Sequence, residues 1–152
     1  MLNTIGYEGA DLDDFVHTLV QAEINTLVDI RDRAQSRRRG FSKTALSERL
    51  ARDGIAYIHM RELGDPKEGR EAARAGNWSK FKKVFEAVLK TDEAQSAILS
   101  ITDLSKSQNI CLLCYERDEK TCHRKIVSEI IEKKLKRKTR HLGVRQFERE
   151  AA

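Results

Sequence analysis

Short apolar runs recur along the chain with helical-period segments between them, and this alternation limits the possible folds more than any other feature. Leu2 to Tyr7, Thr26 to Ile30, Ile55 to Met60 and Asn109 to Tyr115 are each long enough for a buried strand and too short for a helix. Between them the spacing predicts helices. Asp11 caps one carrying Leu12, Phe15, Val16, Leu19 and Val20, and Ser42 caps another through Leu46 and Leu50 to a stop at Gly54. Asn77 caps a third with Trp78, Phe81, Val84, Phe85, Val88 and Leu89 as core. A fourth runs through Ala94, Ile98 and Ile101, and a fifth opens at Thr121 or Cys122 with Ile126, Val127, Ile130 and Ile131 inward. Thr139 to Val144 reads as a last short strand, and Arg61 to Gly76, with its glycines and Pro66, as a long surface loop. Apolar strands separated by helices predict a three-layer α/β/α fold on a mostly parallel sheet of about five strands, residues 1–152 forming one domain.

A chain of 152 residues, 39% apolar and 35% charged, suits one ordinary core. No apolar run approaches the roughly 20 residues of a membrane helix. The N-terminus MLNTIGYEG resembles no secretory leader. Cys111, Cys114 and Cys122, an odd number in one stretch, are the wrong distribution for a disulfide framework. These features predict a cytoplasmic protein with no membrane partner. Charge is unevenly placed. From Arg31 to Arg52 eight basic residues face Asp32 and Glu48, for +6, and from Lys133 to Arg149 eight face Glu148, for +7. The rest of the chain is net acidic, an asymmetry that points to an anionic small molecule or nucleic acid as partner.

In parallel α/β folds ligands bind beyond the carboxyl ends of strands. The residues there are Tyr7 and Glu8, Asp29 and Arg31, His59 and Arg61, and Cys114 and Glu116, each pair able to do chemistry. The densest segment is LLCYERDEKTCHRK, residues 112–125. Cys114 and Glu116 fall on one side of an extended chain, while Cys122, His123 and Arg124 open a helix, where free backbone N–H groups and partial positive charge favour a thiolate or a bound phosphate.

Three readings of this segment stay open. Cys122 is a nucleophile or redox centre, with Arg124 and Arg31 holding an anion and His123 or His59 as acid or base. Cys114, Cys122, His123 and Glu116 or His59 are ligand types for a transition metal, but the seven-residue gap between the cysteines is not a familiar zinc spacing, and no metal is assigned. Or the cysteines are small buried residues, with His123 and Arg124 tying the helix start to carboxylates. A second constellation, residues 29–43, offers Ser36, Arg37, Arg38 and Arg39 as phosphate contacts. No Walker loop, G-x-G-x-x-G or H-E-x-x-H occurs, so no nucleotide or metal cofactor is named.

TIGYEG at the start, VDIRD followed by SRRRGFS, then Tyr57, His59, Leu63 and Gly64, Trp78 to Phe81, and LLCYERDEKTCHR together resemble the prokaryotic domain-of-unknown-function family four-eight-eight. The resemblance runs from Thr4 to about Leu135. It maps the family's acidic-x-Arg motif to Asp29 and Arg31, and its serine and aromatic to Ser36 and Phe41. Where the family has a proline before the Ser-Arg pair, this chain has Ala34 and Gln35, and where it has Gly-Gly before a proline, this chain has Gly64, Asp65 and Pro66. The resemblance implies that Tyr7, Glu8, Asp29, Arg31, Cys114, Glu116, Cys122, His123 and Arg124 share one site. It names no reaction.

Overall fold

The structure is a computed structural model and describes residues 1–148; Arg149, counted above in the basic terminal segment, lies outside them. Five strands, β1 (Leu2–Gly6), β2 (Thr26–Asp29), β3 (Ala56–His59), β4 (Ile110–Cys114) and β5 (Arg140–Leu142), form one sheet in the order β3-β2-β4-β1-β5. Every pairing is parallel. Between them lie α1 (Leu12–Gln21), α2 (Lys43–Ala51), α3 (Lys67–Arg74), α4 (Trp78–Leu89), α5 (Asp92–Ser107) and α6 (His123–Leu135). Among the described residues no helix is long and apolar enough to cross a membrane.

The pleat sends alternate side chains to opposite faces, and helices cover both. On one face Ile5, Leu27, Cys111 and Leu113 pack with Phe15, Leu19, Leu46 and Leu50 of α1 and α2. On the other Leu2, Val28, Ile110 and Leu112 pack with Phe85, Ile98, Ile101, Val127 and Ile131 of α4, α5 and α6. The caps predicted for α1 and α4 are made: Asp11 accepts from the N–H groups of Asp13 and Asp14, and Asn77 from that of Lys80.

Several expectations need correction. The supposed loop over residues 61–76 contains a 3₁₀ turn, Arg61–Leu63, and all of α3. Its glycines and proline mimic a loop, yet Pro66 sits at the N-cap, where it costs no helical hydrogen bond. Gly69 is helical, and a Cβ there would meet Asp65 Oδ1 at 1.9 Å, so it makes room for that carboxyl group. Ser42 occupies the N-cap of α2 without capping it. Its hydroxyl instead accepts from the Ser36 N–H, 3.0 Å, and closes the preceding loop. Trp78 is 42% exposed, although Phe81 and Phe85 beneath it are core. The edge strand β3 leaves Ala56 and Ile58 exposed rather than covered on both faces.

The strand order positions the site. The chain moves outward from β1 to β2 to β3 with α1 and α2 on one face, then returns to β4 and β5 with the remaining helices on the other. Central β4 therefore sends its loop to the opposite face from those of its neighbours β1 and β2. A crevice opens at such a reversal, outside the carboxyl ends of the strands.

Candidate active site

That crevice is a cleft of about 820 Å³. Tyr7, Arg31, Cys114, Cys122 and His123 line it from the strand ends and the start of α6. Residues of the 33–38 loop and of α3 form its walls.

At the end of β2, Asp29 and Arg31 form a buried pair. Arg31 Nε and Nη2 donate to the Asp29 carboxylate at 2.9 and 2.8 Å, the Arg31 N–H adds a bond of 3.0 Å, and the Tyr57 hydroxyl donates to the same carboxylate. Burial disfavours the Arg31 charge, but the hydrogen bonds and charge of Asp29 outweigh it, and its pKa is raised. Burial and then Asp29 also raise that of Tyr57. Arg31 Nη1 donates to the Tyr7 hydroxyl at 3.2 Å, and the Tyr7 ring stacks on Phe41 with centroids 4.6 Å apart. Arg31 thus lines the cleft while Asp29 and Tyr7 hold its guanidinium.

Cys122 is the N-cap of α6, and its sulfur accepts from the Arg124 N–H at 3.5 Å. It is joined to Cys114 at the end of β4 by a disulfide. His123 Nε2–H donates to the Ile30 carbonyl at 2.8 Å, which leaves Nδ1 as the acceptor, 3.5 Å from Cys122 Sγ. Burial lowers the His123 pKa to about 4, so the ring is neutral at physiological pH. Arg124 is 0% exposed. Its guanidinium donates to Thr4 Oγ1 (3.2 Å), Cys114 Sγ (3.0 Å), the Arg117 carbonyl (3.1 Å) and the Glu116 carbonyl. Burial lowers its pKa. These bonds clamp the β4–α6 loop onto β1, and a Cβ at Gly6 would strike the Glu116 carbonyl oxygen at 1.7 Å.

The expected site residues therefore separate. Tyr7, Arg31, Ser36, Arg37, Cys114, Glu116, Cys122 and His123 line the cleft, and Asp29 stands directly behind it. Arg124, expected to bind an anion, is not among the cleft-lining residues, and its guanidinium donates to protein acceptors. Glu8 Oε1 accepts from the Arg117 N–H at 3.0 Å and ties two loops together. His59 Nε2–H donates to the Arg31 carbonyl at 2.7 Å, so this ring supports the backbone and stands off the cleft.

Sequence reading missed Asp65, Arg70 and Arg74, which α3 and the residue before Pro66 bring into the wall. Asp65 is 4% exposed, and its Oδ1 has no hydrogen-bond partner. Burial raises its pKa to about 7; Arg70 opposes the shift while Glu116 and Asp32 add to it. Glu116 is raised as well, chiefly by burial. Arg70 Nη1 donates to the Asp65 carbonyl at 2.8 Å and to Asp32 at 3.2 Å. The side chains of Arg33, Arg37 and Arg74 are exposed and make no hydrogen bond or ion pair among the described residues.

A family model described as "Domain of unknown function DUF488" matches residues 11–131. The chain belongs to the DUF488 family. The match to DUF488 runs from Asp11 before α1 to Ile131 within α6, and so covers Asp29, Arg31 and the Cys114-to-Arg124 segment while β1 precedes it. No curated protein and no solved structure matches the chain.

Proposed function

We propose that this DUF488 chain is a small enzyme that holds a phosphorylated ligand, a nucleotide or a nucleic-acid end, in the cleft and does chemistry on it at the cysteine pair. The observation that carries the reading is the convergence in one cleft of Arg33, Arg37 and Arg74, none of them ion-paired, with two sulfurs that each accept an N–H bond. Guanidinium groups suit phosphate, and N–H donors to sulfur favour a thiolate once the disulfide is reduced.

In the reduced chain Cys122, at the helix start, is the nucleophile or redox centre, and Cys114 beside Arg124 is its partner. His123, neutral and oriented by Ile30, directs the sulfur rather than storing its proton. A group with pKa near the working pH serves best as general acid or base, and Asp65, at about 7, fits that role. Arg124 acts as a positioning residue.

Of the two basic segments only the first reaches the cleft, since no residue of 133–148 lines it. This favours a cleft ligand over a non-catalytic nucleic-acid module spread across both segments. The test is calorimetric binding of nucleoside mono- and diphosphates, inorganic phosphate and a short 5′-phosphorylated oligonucleotide to the full chain. Phosphorylated ligands should bind, lose at least about tenfold in affinity on charge reversal of Arg33 and Arg37, and protect Cys122 of the reduced chain from alkylation. Absence of binding by every probe, or full turnover by a Cys122→Ala variant once a substrate is known, rejects the reading.

A further inference from the structure

We infer that the reduced chain binds one zinc-type divalent cation through Cys114 Sγ, Cys122 Sγ and His123 Nδ1, with a fourth coordination position open to the cleft. The three donor atoms lie within 4.8 Å of one another. Two thiolates and an imidazole are the donor set of borderline-soft cations, and tetrahedral bonds of about 2.0–2.3 Å set ligated sulfurs roughly 3.7 Å apart. Sequence spacing hides the site, because β4 delivers one sulfur and the α6 start delivers the other two donors.

Three further features point to an ion. The first is the imidazole: metal-bound histidines usually donate their other ring N–H to a carbonyl or carboxylate, and His123 Nε2–H does so to the Ile30 carbonyl, turning Nδ1 to the sulfurs. Second, both sulfurs already accept N–H bonds, Cys114 from Arg124 Nη1 and Cys122 from the Arg124 backbone, the outer support that ligating thiolates require. Third, the two Cα atoms stand 7.4 Å apart. Bridged cysteines ordinarily span about 4.4–6.8 Å, whereas an ion between the sulfurs suits a wider pair. All three side chains line the cleft, so the fourth position faces solvent or a bound ligand, as in catalytic zinc sites.

The chemistry balances without a hidden reagent. A small dithiol reductant gives two electrons and two protons to the Cys114–Cys122 disulfide and becomes a disulfide itself. The two thiol protons then pass to solvent as the cation binds. Coordination draws on the same Cys122 thiolate that the reading above uses as nucleophile and weakens it, so in the loaded site the open position is the place for a ligand.

Cobalt(II) tests this in the full-length protein, reduced with a dithiol that is then removed under anaerobic conditions. One equivalent should develop sulfur-to-cobalt charge-transfer absorption with strong tetrahedral d–d bands, which zinc bleaches. The disulfide form should show neither, and Cys111→Ala, a change on the opposite face of the sheet, should leave both in place. Cys122→Ser, with its fold checked by circular dichroism, should lose the charge-transfer band. A folded, reduced wild-type chain that gives no such absorption overturns the proposal, as does a spectrum that survives Cys122→Ser. Binding of the full set of phosphorylated probes by the disulfide form is scored separately. Its failure beside an intact cobalt spectrum would sink the anion reading and leave the metal site standing, and the converse result would do the reverse.

Discussion

Asp65→Asn should make the protein more stable at neutral and alkaline pH and no more stable in acid. In the folded chain Asp65 keeps its proton up to about pH 7, against an ordinary value of 3.8, because it is buried with Glu116 and Asp32 nearby and only Arg70 opposing. The unfolded chain gives that proton up near the ordinary value. Between the two the native state holds one proton more, so stability falls as pH rises and levels off once Asp65 ionises in both states. At about 1.4 kcal/mol per pH unit over a shift from 3.8 to about 7, the upper figure for the loss is roughly 4.5 kcal/mol. Asparagine has nearly the shape of the protonated acid and cannot ionise. Urea unfolding of wild type and variant across this range isolates the group, since every other titration is common to both. The variant should lack the downward slope and gain a few kcal/mol above neutrality, while the two proteins agree to within about 1 kcal/mol in acid. Equal slopes in the two proteins would refute the reasoning. A loss of turnover on the stabilised variant would mark Asp65 as a site where stability is given up for function.

Two other changes are equally direct. Asp29→Ala leaves the Arg31 guanidinium buried without its carboxylate and should cost about 3–5 kcal/mol by urea denaturation, while an exposed pair such as Lys67 with Glu71 should cost under about 1. Gly69→Ala, which would gain about 1 kcal/mol in an ordinary exposed helix, should instead destabilise, because the new Cβ meets Asp65 Oδ1. Combining it with Asp65→Ala should restore the gain, and additive thermal shifts in the double mutant would disprove the clash.

The legible parts of the fold were those where burial is symmetrical. Strands β1, β2 and β4 lie under helices on both sides, so their sequences are nearly unbroken apolar runs, and Asp11 and Asn77 announce helix starts by short-range chemistry. Helix α3 was not legible, because Gly69 is there to clear a carboxyl group four residues away. Such a requirement is spatial and has no periodic trace. The same limit applied at the site. That Cys114, Cys122, His123 and Arg31 would share a cleft was legible because strand ends converge in parallel sheets, a rule of topology. Whether a guanidinium faces a ligand or a carbonyl depends on what the tertiary structure sets opposite it. Arg124 and His59 therefore read as binders, whereas both side chains hydrogen-bond to backbone carbonyls, and Arg74, unremarkable in the sequence, stands in the cleft wall with no side-chain hydrogen bond among the described residues.

The floor and the walls of the cleft come from different stretches of chain. Cys114, Cys122 and His123 hang on a strand end and a helix start that are locked together through Arg124, and Arg33, Arg37 and Arg74 sit on a loop and a short helix that add no strand to the sheet. A change in those two excursions can alter which molecule enters without retuning the sulfurs beneath. On the proposed function, divergence in that loop and helix would change the ligand and leave the chemistry at the cysteine pair in place.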